Sequence, residues 1–523
     1  MTLPAPSALF SLPRSGFDSW YPGQAAAFSD VMTWLLSDDR FMGLSVPTGS
    51  GKSLVGVGAS KLSGKRVVIL TSTKGLQRQI IDDFGELGLV NIQGQNNYRC
   101  SLEEDRRVDE GPCHDGIGCP LKGTVCPYYL QLRKALSAQV VTTNYAYWLA
   151  QTTHSSGLGE VDLLVCDEAH LAFSALESFL QTRFARDEVE SHGLRFFDGE
   201  CEWDRWREWA QQGRPDIAGQ AQELKEEIEQ IALTGSGVPS ALSRAYRNAR
   251  VLERKLDVVA RSRGRWLSER QRGGWLVRPV WVSQYAGYLF RGVEKVLLMS
   301  AVLSEKTLEA LGIVHPHMHS SGSSFPVANT PIYHLPTVRV NYRSSDADLR
   351  IWSARIDQII KRRLDRKGIV FTVSYARRDF LMQHSQYAGI MMSHATRDVV
   401  EMVGRFKASG PPRVLVSPAV TSGWNFPDDD CRYIVVGKLP YPDTQDAVMV
   451  ARSEDDSDWT SFMAMETLIQ ECGRGTRSAD DRCEVFVVDD GWRWYWPRYR
   501  EFAPRWFQER VRRSLTTVPE PTV

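Results

Sequence analysis

The chain is poor in cysteine, carries no excess charge and contains no long apolar run. Its 63 Lys and Arg balance 63 Asp and Glu, so any polyanionic partner must be met by local patches rather than by an overall field. Nine cysteines in 523 residues are far too few for a disulfide scaffold, and in a reducing compartment thiols stay free or bind metal. No apolar stretch approaches the roughly 18 residues of a membrane helix, and M-T-L-P-A-P-S-A-L-F-S-L-P-R puts prolines where a signal peptide needs its apolar core. These absences predict a soluble, cytoplasmic protein. With 42% hydrophobic residues a disordered or fibrous chain is excluded, and at roughly 100–200 residues per domain the length suggests two to four domains.

What is present is a repeated alternation of strand and helix. F-M-G-L-S-V, a glycine turn, a small-residue helix and the β-branched run V-V-I-L-T form a βαβ unit, hence a parallel sheet. The pattern returns after about Pro336, with a helix near 354–364 and strands G-I-V-F-T-V, R-V-L-V-S, Y-I-V-V-G and E-V-F-V-V. The fold class is therefore α/β with two parallel-sheet cores. Between them, 218–233 and 241–260 carry apolar residues at helical spacing and read as a helical hairpin, and the Gly- and Ser-rich segment 317–324 reads as a linker.

Residues 47–53 read P-T-G-S-G-K-S between a strand and a helix. In such a loop, Pro47-Thr48-Gly49-Ser50-Gly51, the backbone N–H groups after Pro47 face phosphate oxygens. Lys52 reaches the β- and γ-phosphates, and the Ser53 hydroxyl holds Mg²⁺ at a helix N-terminus. Residues 161–170, V-D-L-L-V-C-D-E-A-H, end an apolar strand on two carboxylates. Asp167 would orient hydrated Mg²⁺, and Glu168 would polarise the attacking water. Residues 470–477, Q-E-C-G-R-G-T-R, place Gln470, Arg474 and Arg477 after a helix-like stretch. The two arginines, three apart, would supply planar charge to a transferring phosphoryl group; surface arginines are the bland alternative.

Cys100, Cys113, Cys119 and Cys126 fall within 27 residues at spacings x12, x5 and x6. Structural zinc sites usually include a close C-x₂₋₄-C pair, which is missing here, while four thiolates also suit an iron–sulfur centre. Spacing alone leaves iron–sulfur, zinc and unliganded thiols open.

The ordered set P-T-G-S-G-K-S, D-E-A-H, L-M-S-A-V-L-S (298–304), S-G-W-N-F-P (422–427), K-L-P-Y-P (438–442) and Q-E-C-G-R-G-T-R resembles the DinG/XPD family of superfamily-two iron–sulfur DNA helicases over nearly the whole chain. G-S-S-F-P-V-A-N (322–329) is similar to the family's joint between motor domains, and V-F-T-V-S-Y (370–375) to the first strand motif of the second motor. Gln24, in Y-P-G-Q, stands where the family has an adenine-contacting glutamine, and Gly423 and Asn425 fall in the nucleotide-coupling motif.

The resemblance implies two RecA-like motors closing on ATP and Mg²⁺, with a [4Fe-4S] cluster on the four cysteines. It also implies a helical arch and 5′→3′ movement of a monomer on single-stranded and forked DNA, with no membrane partner. Domain bounds follow: 1–94, 138–170 and 295–325 for the first motor, 95–137 for the iron–sulfur domain, 171–294 for the arch and 326–523 for the second motor. The chain departs from the family at Asn425, where an aspartate is usual, and at Val302, where a threonine is usual; an amide carries no charge and valine has no hydroxyl. A translocase that remodels nucleoprotein without separating strands, and a non-catalytic module that holds ATP as a structural ligand, are the rival readings.

Nucleic-acid contacts are sought in three places. Residues 244–278 hold eleven Lys or Arg against three Asp or Glu, which suits phosphate tracking or a solvated helical face. Trp492, Trp494, Trp496, Trp506 and Phe507 interleave with arginines, which suits base stacking or, preferably, a C-terminal helix packed on the second core. T-S-T-K (71–74) follows a strand, where the resemblance places a phosphate contact.

Overall fold

The computed structural model describes residues 3–12, 16–114, 119–155, 157–234, 237–323, 325–395, 397–418, 424–476 and 481–521. Along the chain, β1 (Phe41–Ser45), β2 (Val67–Thr71), β3 (Val90–Asn91), β4 (Val140–Asn144) and β5 (Val161–Asp167) come first. An insertion then carries β6 (Thr182–Ala185), β7 (Trp266–Gln271) and β8 (Gly274–Pro279). β9 (Val293–Ser300) and β10 (His317–Ser320) complete a seven-stranded parallel sheet in the order β10-β1-β9-β5-β2-β4-β3. β11 (Ile332–His334), β12 (Lys367–Phe371), β13 (Met391–Ser393), β14 (Arg413–Ser417), β15 (Tyr433–Val436) and β16 (Glu484–Val487) form a second parallel sheet, ordered β11-β16-β15-β12-β14-β13.

The central strands are apolar without alternation because helices cover both faces; every residue of β2 and of β12 is buried. Helices Gln24–Leu35, Lys52–Leu62 and Lys74–Phe84 close one face of the first sheet around Phe28, Val31, Trp34, Val57 and Ile80. The other face packs Tyr145, Trp148 and Leu176 in a core that runs on into the insertion at Trp206, Leu252 and Trp275. Trp492, Tyr495, Trp506 and Phe507 lie in the core of the second domain, so the C-terminal aromatics are packing residues; Trp494 is exposed.

Three expectations are corrected. The segment 317–324 is not simply a linker: its first four residues are β10, paired with β1 in register Met42 to His317. The helix expected from 218 begins far earlier, at Trp203, and runs to Leu233 through Pro215. The insertion is not only helical, because β6, β8 and β7 form an antiparallel sheet whose β7–β8 hairpin turns at Arg272 and Gly273. Gly273 has a positive φ of 73°, which suits the tight turn. The second helix of the pair runs Ser240–Ala260, close to its expected bounds. No helix among the described residues is long and apolar enough to cross a membrane.

Candidate active site

The strand order brings distant motifs to one edge. β9 lies between β1 and β5, so the loop after β1 and the carboxylates ending β5 flank the C-terminal end of β9, where ligands gather in open α/β sheets. Gly49 and Gly51 take positive φ values of 79° and 72°, turning the loop into the helix Lys52–Leu62. Ser50 Oγ donates to Pro47 O at 2.7 Å, bracing the loop from within.

Lys52 Nζ sits 2.7 Å from Glu168 Oε1. Glu168 itself has φ 51°, a conformation that few residues other than glycine adopt without support. His170 Nδ1 lies 2.8 Å from Ser300 Oγ at the end of β9 and 3.5 Å from Glu168 Oε2. Burial would raise the pKa of both carboxyls, and Lys52 decides between them. It pulls Glu168 down to about 2 with help from His170 and Arg474, while Asp167 is held up at about 6 by burial and the neighbouring charge of Glu168. Of the pair, Asp167 is therefore the carboxyl that takes up a proton first as pH falls. Burial lowers His170 to about 4, so its ring is neutral at physiological pH.

The second domain supplies the opposite wall. Helix Trp459–Cys472 carries Gln470, and Arg474 follows it, buried, its Nη1 donating to Trp424 O at 2.9 Å. Burial lowers the affinity of the Arg474 guanidinium for its proton, partly offset by Glu168 and Glu471. The two glycines in this motif have steric reasons. A Cβ at Gly473 would lie 2.7 Å from Thr48 Oγ1 of the phosphate loop, and one at Gly475 would lie 2.4 Å from Cys483 Sγ.

Between the walls lies a cavity of about 350 Å³, lined by Thr48, Lys52, Ser53, Asp167, Glu168, His170, Asn425, Gln470 and Arg474 among others. Asp167 Oδ1, Glu168 Oε2, Gln470 Nε2 and Arg474 Nε make no hydrogen bond among the described residues. Buried polar atoms left unpartnered around one cavity fit a polar ligand. With Ser53 and Asp167 on the same lining, the donor chemistry also fits a hydrated Mg²⁺.

Of the residues singled out from the sequence, Lys52, Ser53, Asp167, Glu168, Gln470, Asn425 and Arg474 line this one cavity. Pro47, Thr48, Gly49, Ser50 and Gly51 form the adjoining loop. Gly423 and Arg477 lie outside the described residues. Gln24 is buried beside the loop, where its Nε2 donates to Gly51 O at 2.9 Å and its Oε1 accepts from Tyr21 N at 3.0 Å.

Two titratable cavity residues, His170 and Glu466, were given no role from the sequence. His170 was visible within D-E-A-H yet was given no role. Glu466, one turn before Gln470, accepts from Thr307 Oγ1 at 2.9 Å across the two domains, and burial raises its carboxyl to about 8. Its spacing of four from Gln470 was the available signal.

The cysteine segment is irregular, with short turns at Gln95–Asn97, Val108–Glu110 and Pro112–His114. Cys100 and Cys126 are buried, and burial together with Cys119, Cys126 and Cys100 nearby raises the Cys113 thiol. A Cβ at Gly111 would approach Cys100 Sγ to 3.1 Å. Four thiols in one neighbourhood are a donor set suited to iron or zinc. Among the described residues no three are arranged as a formed ligand shell.

Part of the basic patch is ion-paired. Arg250, Lys255 and Arg261 meet Glu253, Glu188 and Asp257 within the insertion, while Arg265 reaches Glu454 at 2.8 Å and Arg278 reaches Asp446 at 2.7 Å in the second domain. Arg452 of the second domain is buried against the insertion, 2.7 Å from Glu177 and stacked over Phe173. Thr73 caps the helix Lys74–Phe84, and Lys74 Nζ donates to Asn97 Oδ1 of the cysteine segment at 2.5 Å.

Comparison with known proteins agrees with this geometry. Residues 358–510 match the helicase C-terminal domain family, and residues 18–186 match the family described as type III restriction enzyme, res subunit. The ATP-dependent DNA helicase CHL1 of Saccharomyces cerevisiae (strain YJM789) is 24% identical over 121 residues, 20% of this chain; the match spans only 14% of that protein's length. A solved XPD helicase superposes with TM-score 0.62 at 17% identity, covering 94% of this chain and 98% of the other. Xpd4 of S. tokodaii does so with TM-score 0.58 at 16% identity, covering 94% and 99%. The two family matches fall one on each core, and an XPD-like fold extends over 94% of the chain, in keeping with the order of the motifs.

Proposed function

We propose that the chain is an ATP-dependent DNA helicase that translocates 5′→3′ on single-stranded DNA and opens forked duplex, with the cysteine domain forming part of the wedge. The observation that carries this reading is the facing of Lys52 and Glu168 by Arg474 across a cavity between two RecA-like sheets.

In this cavity the Lys52 ammonium, released from Glu168, neutralises the β- and γ-phosphates. Glu168, held ionised, is poised to polarise a water for attack in line with the leaving oxygen. Arg474 approaches from the second motor, and its charge is most useful where negative charge develops on the γ-phosphoryl group. Ser53 and Asp167 would hold Mg²⁺, which supplies charge neutralisation between the phosphates. Gly473 against Thr48 and Glu466 against Thr307 tie closure of the cleft to the phosphate loop and to the segment after Ser300, so nucleotide turnover can move one motor against the other.

Cys100, Cys113, Cys119 and Cys126 would hold a [4Fe-4S] cluster, whose ligation organises a segment with little core of its own. Lys74, bonded to Asn97, links the phosphate-contact strand end to that domain. The polarity and the cluster are supported by the DinG/XPD resemblance. The test is ATPase with and without single-stranded DNA, followed by strand displacement on 5′-tailed and 3′-tailed duplexes. Displacement of the 3′-tailed duplex alone refutes the polarity.

A second reading, a translocase that remodels nucleoprotein without strand separation, is favoured by the ion pairs that Arg265, Arg278 and Arg452 make between insertion and second motor. These leave fewer cations for DNA. DNA-stimulated ATPase with neither duplex displaced would favour it.

A further inference from the structure

We propose that Arg452 of the second motor is a positioning residue for Glu168: by gripping the helix that leads away from D-E-A-H, it makes the water-polarising carboxylate depend on where the second motor sits. The inference rests on the ATP reading of the cleft and deepens it by naming what regulates that carboxylate.

The path from Glu168 to this helix is short. Glu168 has φ 51°, Leu171 N donates to Glu168 O at 2.9 Å, and a single turn at Ala169–Leu171 runs directly into helix Ala172–Leu180. A strand end, a turn and a helix in succession leave little slack between the carboxylate and the helix. Phe173 and Glu177, four residues apart, share one face of that helix. Phe173 also lines the cleft cavity.

Arg452 meets this face from helix Ala447–Asp455 of the second motor, and its side chain is fully buried. Its Nη2 donates to Glu177 Oε1 at 2.7 Å, and its Nε donates to Val280 O at 2.6 Å. The guanidinium lies 4.7 Å from the ring centroid of Phe173 and 5.7 Å from that of Trp281. A planar cation held by two hydrogen bonds and two rings has one pose, so a shift of its helix is passed to Phe173 and Glu177. Helix Ala447–Asp455 is itself fixed at both ends. Its N-cap residue, Asp446, pairs with Arg278 at 2.7 Å; at the other end Glu454 pairs with Arg265 at 2.8 Å, and Asp455 Oδ2 accepts from Trp281 Nε1 at 2.8 Å. The next helix, Trp459–Cys472, carries Gln470 and leads to Arg474, so the grip on Phe173 belongs to the same stretch of chain as the wall facing Glu168.

Docking alone needs no buried charge, because apolar side chains of similar volume hold two surfaces at least as well. A stacked, buried arginine on a carboxylate instead fixes register. The register here is between the second motor and the strand end that holds Glu168 in a left-handed backbone conformation. When the second motor moves away, that conformation loses its support.

The experiment compares ATP kcat and calorimetric affinity for Mg²⁺-ATP in the full chain. Arg452→Met should lower kcat on the order of tenfold with affinity unchanged, because a misplaced carboxylate costs rate rather than binding. Glu177→Gln should do the same, and the double variant should be no slower than Arg452→Met alone. Glu454→Ala with Asp455→Ala, which loosens the docking without touching Glu177, should keep wild-type kcat. Thermal melting checks that each variant is folded; if Arg452→Met is not, Arg452→Lys, which keeps the charge but not the flat stack, should show a smaller loss of kcat alone. Normal kcat in the Arg452 variants, additive losses in the double variant, or an equal loss in Glu454→Ala/Asp455→Ala overturns the assignment. A wild-type chain that does not hydrolyse ATP refutes the cleft reading itself, whereas a working wild type with an indifferent Arg452 refutes only the positioning role.

Discussion

The inter-motor cleft and the cysteine segment are built in opposite ways. In the cleft Lys52, Asp167, Glu168 and Gln470 sit at or beside the ends of buried strands and helices, so packing fixes their place before any ligand arrives. The cysteine segment has short turns and one helix, Pro127–Ser137, a few buried residues such as Val108 and Tyr128, and thiols drawn together without a formed ligand shell among the described residues. Preorganised donors favour chemistry, because nothing need be reordered as charge develops. A loop with little core instead depends on ligation for its order. Changes in the cleft should therefore alter rates in a folded protein, and changes at the cysteines should alter the local fold.

The largest expected effect comes from Lys52→Ala, which should reduce ATP turnover by about 10³-fold while leaving the melting temperature near that of wild type. Turnover at the wild-type rate would break the assignment of the cleft. Arg474→Ala should follow, with turnover down about 10²-fold and nucleotide affinity largely kept, because the guanidinium acts mainly in the transition state. Lost affinity with normal turnover would recast it as a ground-state clamp. The same assay on Arg477→Ala tests the other arginine.

At the cysteines, protein purified without oxygen should be brown and contain about four iron atoms per chain, as the ligand number of such clusters implies. Cys113→Ser should bleach it and impair unwinding of a 5′-tailed duplex far more than DNA-independent ATPase. Colourless protein with stoichiometric zinc would overturn the cluster, and equal loss of both activities would dissolve the contrast between the two regions.

The smallest effect is one of pH. Because the folded Glu466 carboxyl is raised to about 8, its contribution is fully present below the ordinary value of 4.5 and is lost as pH rises through about 8. Glu466→Gln keeps a neutral partner for Thr307, so its melting temperature relative to wild type should climb between pH 6 and 9. Parallel curves would remove Glu466 as a tie between the motors.

The two cores were legible because strands buried on both faces must be apolar throughout, as in V-V-I-L-T. What escaped did so where that pressure was weak. β10, H-M-H-S, is an edge strand with one neighbour, and its polar residues read as linker. The hairpin of β7 and β8 lies partly at the surface and carries charges, which blurs its period. The helix Trp203–Leu233 extends well before 218 and through Pro215, which usually ends a helix; Trp206, Ala210, Ile217 and Ala221 are buried along one side, and that packing outweighs the lost bond.

The sequence by itself determined the phosphate loop, the paired carboxylates and the order of two α/β units, since each is a local pattern of loop, strand end and helix start. Only the tertiary structure decides that Gly473 abuts Thr48, that Arg474 faces Glu168, that Arg265 and Arg278 of the basic patch pair with the second domain, and that His319 links Asp30 to Ser321. Those contacts join segments far apart in the chain. They exist only once two sheets have packed and docked, and no local preference of the residues involved encodes that geometry.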